Sequence, residues 1–342
     1  MTAHDANVMM PRGNALVTRL TDLLGLTLPL LQAGMGGVAG PELAAGVSNS
    51  GAGGILALYK ERAESIRRLV RQTAAQCDRP FGINVIPEVS GHAAACEQVV
   101  AALEDLPESG FVTTFGLPDS DLGELVKSAQ RHLVVQVGTP QDAAAALVLG
   151  ADALVLQGCE AGGHHLGTTS STELLTEVRS QHPLAVLVVA GGIATGVDLA
   201  AALTEGADGA MAGTLFIPAR ESRAHPDYKQ RVLDAGDGDT VITEAFDIGW
   251  PHRPHRVLQN ATTQARNREA AQFIATTDVE GRRLPVPRYS AAVPTARTEG
   301  RIDLMAMYCG TSCERVTRLA PAKDIVGRLR AEYDATLSPM RS

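Results

Sequence analysis

Short runs of apolar residues alternate along this chain with longer stretches whose apolar positions recur every three or four residues. That is the rhythm of parallel strands joined by helices. Eight runs read as strands: residues 28–33, 54–58, 81–86, 111–114, 133–137, 153–157, 185–190 and 209–212. Their hydrophobicity is continuous rather than alternating, as a sheet buried on both faces demands. Helix starts fall in the gaps. Pro41-Glu42 and Pro140-Gln141 put proline in a first turn, and Ser171 or Thr172 can cap a helix through Val178. Seven helices fit between the eight strands, and residues 322–336, after Pro321, supply an eighth. The fold class that follows is α/β, a (β/α)8 TIM barrel.

From about Arg220 to Arg301 the rhythm breaks. Proline, charge and isolated aromatics (Tyr228, Phe246, Trp250, Phe273, Tyr289) replace it. Helix patterns at 227–234 and 260–275 predict a small, mainly helical insertion after strand eight. The expected division is a barrel of residues 1–219 and 303–342 with a cap of residues 220–302. Such a cap falls on the C-terminal face, where barrel active sites lie. It reads either as a water-excluding lid or as a structural or oligomer-forming element.

Composition narrows the class. The chain has 342 residues, 45% hydrophobic and 20% charged, with mean hydropathy +0.02. That is enough apolar side chain for one large core without disulfide staples. A formal charge of −8 argues against a nucleic-acid face, which would be basic. No apolar run is long enough to span a bilayer, and the N-terminus lacks a basic region followed by an apolar stretch. Five cysteines without a C-x-x-C pair read as reduced thiols, and no metal site is expected. The expectation is a cytoplasmic enzyme with a small-molecule substrate and neither nucleic-acid nor membrane partners. Oligomeric state stays open, with a homodimer as the candidate.

Two glycine patterns bear on phosphate. Gly34-Met35-Gly36-Gly37-Val38-Ala39 meets a loose dinucleotide pattern. Eight successive βα units exceed a simple dinucleotide half-domain, however, and the second strand ends without an acidic residue to hold a ribose. The stronger pattern comes late, with Ala190-Gly191-Gly192-Ile193-Ala194 after the seventh strand and Ala212-Gly213-Thr214 after the eighth. Barrels bind phosphate there, because bare backbone amides converge on the anion. Glycine alone does not choose between a flavin nucleotide, a sugar phosphate and a phosphorylated substrate.

After the sixth strand the chain reads Gln157-Gly158-Cys159-Glu160-Ala161-Gly162-Gly163-His164-His165-Leu166-Gly167-Thr168. A histidine on a glycine-rich loop at the C-terminal rim is placed for proton transfer. Of two adjacent histidines, one is a bystander. Around this loop the segments Leu31 to Met35, Pro80 to Asn84, Gln157 to His164, Ala190 to Ala194, Gly213 to Phe216 and Glu221 to Lys229 follow an order that resembles the nitronate monooxygenase (2-nitropropane dioxygenase) family. The same outline describes the related FMN-dependent enoyl-acyl-carrier-protein reductases. The resemblance covers nearly the whole chain, and E-A-G-G-H is its most specific element.

The resemblance implies an FMN cofactor across the barrel mouth. Ala33, Gly34, Met35, Asn84 and Gln136 would meet the flavin ring, and Ala161, Gly162, Gly163, Gly191, Gly192, Gly213 and Thr214 the ribityl phosphate end. His164 matches the family's catalytic histidine, and His165 lies just past the motif. The implied reaction is oxidation of alkyl nitronates, or nitroalkanes, with O2. The alternatives are an NAD(P)H-dependent enoyl-thioester reductase and a flavin- or phosphate-binding barrel without turnover. One departure is Gly34, where many nitronate monooxygenases carry proline and the reductase branch does not.

The remaining candidates read as packing or surface. Cys159 is expected to pack as a small hydrophobe, and Cys309 and Cys313, four apart, to face one another on a helix. His252 and His255 read as a solvated face flanking Arg253, which can meet an anionic substrate. Trp250 and Tyr308 are pocket-wall or core residues, and Arg266, Arg268, Arg282 and Arg283 are too scattered for a nucleic-acid patch.

Overall fold

A computed structural model describes residues 16–268, 270–279 and 281–338 of the chain. Its centre is an eight-stranded parallel barrel. In chain order the strands are β1 (Leu30–Gln32), β2 (Gly54–Ala57), β3 (Phe81–Val85), β4 (Phe111–Phe115), β5 (His132–Val137), β6 (Ala153–Gln157), the two-residue β7 (Gly163–His164), β8 (Val186–Ala190) and β9 (Gly209–Ala212). All but β7 belong to the barrel, ordered β1-β9-β8-β6-β5-β4-β3-β2. A parallel bridge from Leu31 to Gly53 brings β1 against the entrance of β2. The buried Gln32 carboxamide oxygen accepts the Ile55 N–H at 3.0 Å across this closure. The eight expected strands are all present, with ends shifted by one or two residues.

Period-two burial explains their continuous hydrophobicity. On β5, Val134 points into the barrel while Leu133, Val135 and Val137 pack outward under the helices. Ile55, Phe111, Val155, Val188 and Met211 fill the interior with Val134. The helix Arg19–Leu24 sends Leu20 and Leu24 into the same cluster and so plugs one end. Side chains thus fill the barrel, and ligand chemistry is left to the opposite rim.

The helix starts follow the sequence but for one cap, since Ser170, and not Ser171 or Thr172, caps the helix that runs through Val178. Pro41 opens Pro41–Asn49, Thr139 caps Pro140–Val148, and Ser170 with Glu173 forms a capping box for Ser171–Gln181. The last helix, Ala322–Leu337, packs against Gly196–Thr204 and Pro41–Asn49, so a late segment completes the outer ring. Glu221 fixes its start, its carboxylate accepting the Ala322 N–H at 2.9 and 3.1 Å.

The segment between β9 and that helix corrects one expectation. A helix is present at Pro226–Leu233, but the one expected at 260–275 is not. Asn260 Oδ1 accepts the N–H groups of Thr262 and Thr263, and Thr263 Oγ1 accepts from Asn260 N. These local bonds hold a turn where a helix would need its backbone free. The β-branched run that follows is extended. The segment is mainly β: β10 (Thr240–Thr243), β11 (His255–Leu258), β12 (Phe273–Val279), β13 (Arg282–Pro287) and β14 (Thr298–Gly300). β12 pairs with β13 and β14, whereas β11 lies between β10 and β7. The insertion is therefore stitched by backbone hydrogen bonds onto the loop that carries His164.

Candidate active site

The rim has two ends, built differently. At the first, backbone turns converge. Gly191 and Gly192 follow β8 with φ of 115° and 77°, the left-handed region open to glycine at little cost. A side chain on Gly191 would lie 3.0 Å from Ala161 N. Gly162 packs against Cys309 and Gly310, and Gly310 N–H donates to Thr214 Oγ1 at 2.9 Å. Thr214 accepts there, and its hydroxyl also hydrogen-bonds the buried Cys309 side chain. Gly213 faces Ala33 and Met35. Gly163 and Gly192 look onto open space, with nothing within 4 Å of a Cβ placed on either. Ala33, Met35, Ala161, Gly162, Gly191, Gly213 and Thr214 are thus tied into one neighbourhood.

Gly34 and Asn84 form a second contact. A Cβ on Gly34 would sit 2.7 Å from Asn84 Cγ, far inside van der Waals range. Asn84 is fixed by Thr113 Oγ1, which donates to its Oδ1 at 2.8 Å. The departure at Gly34 therefore has a physical reason in this chain: glycine admits the buried amide. Gln136 lies on β5 in register with Phe115 and Val155. The sequence reading missed Arg315, whose Nη2 donates to Gly192 O at 2.6 Å. It arrives from more than 120 residues away, beyond the reach of any local pattern.

Side chains build the other end. Gln157 holds the loop from both sides, its Nε2 donating to His164 O and its Oε1 accepting Leu166 N–H, each at 2.9 Å. Pairing of β7 with β11 sets His164 opposite His255. The His164 ring stacks on Trp250 at 3.7 Å and 17°, with His255 and Tyr308 at 5.0 and 5.1 Å. Phe115 meets Trp250 edge-on at 5.3 Å, and Tyr59 lies nearly parallel to it at 6.1 Å. His164 is 6% exposed, and its Nε2 is buried without a hydrogen-bond partner.

The environment keeps His164 neutral. Burial, then the neighbouring His255, Arg253 and His165, lowers its pKa to about 2. His165 is tied down instead, its Nε2 to Ala161 O and its N–H to Pro254 O, each at 2.8 Å. Burial lowers its pKa as well.

His255 corrects the expectation of a solvated face: it is 0% exposed. Its Nδ1 meets Arg253 O at 2.9 Å and its Nε2 accepts Phe246 N–H at 3.3 Å, which uses both ring nitrogens in the neutral form. His252 is exposed as expected. Strand β11 alternates, so the residue that pairs with His164 points inward, an alternation hidden by charged neighbours. Cys309 and Cys313 face one another as expected, their side chains hydrogen-bonded, but not on an α-helix. Both are buried, and they lie before and within the short 3-10 turn Thr311–Arg315. Cys159 is half-buried, and burial raises its thiol pKa, which opposes a nucleophilic role.

Comparison with known proteins places this site in context. A family model described as nitronate monooxygenase matches residues 17–109 and 89–332. A nitronate monooxygenase from Paraburkholderia phytofirmans is 30% identical over 371 residues, covering 94% of this chain and 96% of that protein. A (3aS,4S,5R,7aS)-5-hydroxy-7a-methyl-1-oxo-octahydro-1H-indene-4-carboxyl-CoA dehydrogenase from Rhodococcus jostii is 36% identical over 241 residues, or 70% of this chain. That match spans 66% of the dehydrogenase, just under two thirds of its length. Among solved structures, FabK from Thermotoga maritima superposes with TM-score 0.78 at 26% identity, covering 96% of this chain and 99% of that one. Nitroalkane oxidase from Streptomyces ansochromogenes gives TM-score 0.73 at 27% identity, with 94% and 100% covered.

Proposed function

The chain belongs to the nitronate monooxygenase family, and from that premise we propose that it oxidises alkyl nitronates with O2, using FMN. The observation that carries the reading is His164, whose unpartnered, buried Nε2 lies beneath an indole on the strand that leads out of the Ala161–Gly163 turn.

The residues fit a flavin nucleotide. Open space over Gly163 and Gly192 and left-handed turns at Gly191 and Gly192 suit a phosphate end, with Thr214 beside them. Gly162 and Gly213 let the backbone approach closely there, with Ala161 beside Gly191. Ala33, Gly34, Met35, Asn84 and Gln136 would meet the ring. When bound, FMN supplies the electron-transfer chemistry, and the protein supplies position and charge.

His164 favours an anion that needs no deprotonation. An imidazole with a pKa near 2 is too weak a base to draw a proton from a neutral nitroalkane at neutral pH. In its Nε2–H tautomer it donates a hydrogen bond to a nitronate oxygen. The arriving negative charge would raise the imidazole pKa and strengthen that bond. Aromatic walls from Trp250, Tyr308 and Phe115 exclude water around it.

A second reading has support of its own: reduction of an enoyl thioester by NAD(P)H. Gly34 is the residue that the reductase branch carries, and FabK and a carboxyl-CoA dehydrogenase stand among the similar proteins. Anaerobic mixing separates the two. Under the first reading, ethyl nitronate bleaches the flavin of FMN-loaded protein rapidly and NAD(P)H does not. Rapid bleaching by NAD(P)H alone overturns it in favour of the second.

A further inference from the structure

Glu88 lies in the short helix Pro87–Ser90 after β3, on a loop far in sequence from the His164 strand. Its carboxylate accepts three N–H groups from one turn of the insertion. Trp250 Nε1 donates at 3.3 Å, Arg253 Nε at 3.0 Å and Arg253 Nη2 at 2.6 Å. Arg253 Nη1 reaches on to His165 O at 3.4 Å. A guanidinium fork beside an indole N–H is a donor set shaped for a carboxylate, which it grips by two parallel bonds. Here it stands one residue from His164, and its indole is the ring stacked on that histidine.

We propose that Trp250 and Arg253 form a carboxylate-binding site, filled in the resting protein by Glu88 and open to exchange with a carboxylate ligand. Three observations carry this. The pair is only partly buried, with 34% of the Glu88 side chain and 29% of Arg253 exposed, so water can receive the displaced carboxylate. A fully buried pair would resist exchange, because the freed charge would have no solvent. Next, His164 Nε2 is buried without a partner and its ring stacks on Trp250, so a movement of that indole changes the cover on His164. Finally, the turn bearing the indole has left-handed residues on either side, Gly249 at φ 97° and His252 at φ 58°. Exchange of Glu88 for a ligand carboxylate hands the hydrogen bond on Trp250 Nε1 to the ligand, and so couples carboxylate binding to the position of the indole stacked on His164.

The carboxylate belongs either to the substrate itself or to a free organic acid acting beside it. The chemistry recognised is the same. The site stands apart from the nitronate reading, since a carboxylate receptor does not require that reaction.

Trp250 is the single tryptophan of the chain, so tryptophan emission, excited selectively over tyrosine, reports on this site. FMN-loaded protein would be titrated with succinate and, as the uncharged control, succinamide. Glu88→Gln keeps an acceptor for the indole but removes the competing charge, and is expected to bind succinate about tenfold more tightly than wild type, the effect of one freed charge-assisted pair. Arg253→Met is expected to abolish the succinate response, and succinamide to be silent throughout. A Glu88→Gln affinity equal to wild type, or a succinate response retained in Arg253→Met, overturns the proposal and leaves Glu88 as a pin holding the insertion down. Should Glu88→Gln fail to fold, the wild-type contrast of succinate with succinamide and the Arg253→Met loss decide alone. Competitive inhibition of ethyl nitronate oxidation by succinate assigns the carboxylate to the substrate, and any other pattern to a free acid. A protein that oxidises no nitronate yet shows the fluorescence changes loses the functional reading and keeps this site.

Discussion

The two ends of the rim are made of different material. Around Gly191, Gly192, Gly213 and Thr214 the surface is backbone, shaped by turns that follow consecutive barrel strands. Around His164 it is side chain, assembled from β7, β11, the Trp250 turn and the loop after β3. Under the proposed function the backbone end is the generic one, since glycine turns and bare amides suit any ligand that carries a phosphate. Under the same proposal the side-chain end is where the reacting groups lie.

Substitutions at each end sharpen that contrast. The largest effect belongs to His164→Asn, which is expected to keep FMN bound while kcat for a nitronate falls about 10²- to 10⁴-fold, the range of one positioned proton-transfer or hydrogen-bonding group. The bound-flavin absorbance and loss of nitronate absorbance check both halves. An unchanged rate removes His164 from the mechanism. At the backbone end, Gly192→Val places a β-branched residue at φ 77°. Strain of about 1–3 kcal/mol is expected to weaken FMN binding by about ten- to a hundredfold, and flavin fluorescence on titration reads it. Equal affinity would mean the turn takes no part in holding the cofactor.

A smaller effect concerns acid stability. His164 is neutral when folded, with a pKa near 2, and takes up a proton near its ordinary value on unfolding. The unfolded state then binds more protons as pH falls from about 6.5 toward 2, so stability declines with acid by about 1 kcal/mol per pH unit for this group. The buried His165 and His255 shift in the same direction. Urea melts across that window should show a shallower decline for His164→Asn than for wild type, and parallel slopes would deny the buried neutral imidazole. The smallest effect is Trp250→Phe. It keeps an aromatic cover but admits water at the ring edge, and is expected to raise the His164 pKa from its depressed value. NMR titration of the imidazole protons reads it, and an unmoved pKa would show that the indole is not what seals the ring.

Much of this was legible in the sequence, for reasons that separate the two ends again. The eight strands announce themselves because burial on both faces demands continuous apolar runs, and the tight turn after β8 because its left-handed φ favours glycine. His164 stands out through the glycine motif around it. The insertion was misread where Asn260, Thr262 and Thr263 satisfy their own backbone locally, which periodicity does not register. His255, Glu88 and Arg315 escaped because their roles come from partners about 90 to 165 residues away, His164 for His255, Arg253 for Glu88 and Gly192 for Arg315. A charged residue on a loop reads as solvated until its partner in space is known.

Oxygen uptake by FMN-loaded protein on addition of propionate 3-nitronate, with no NAD(P)H present, tests the central claim most directly. The account predicts rapid uptake that disappears in His164→Asn while FMN stays bound. No uptake by flavin-loaded wild type, with NAD(P)H-driven reduction of an acyl-thioester acceptor instead, would contradict it.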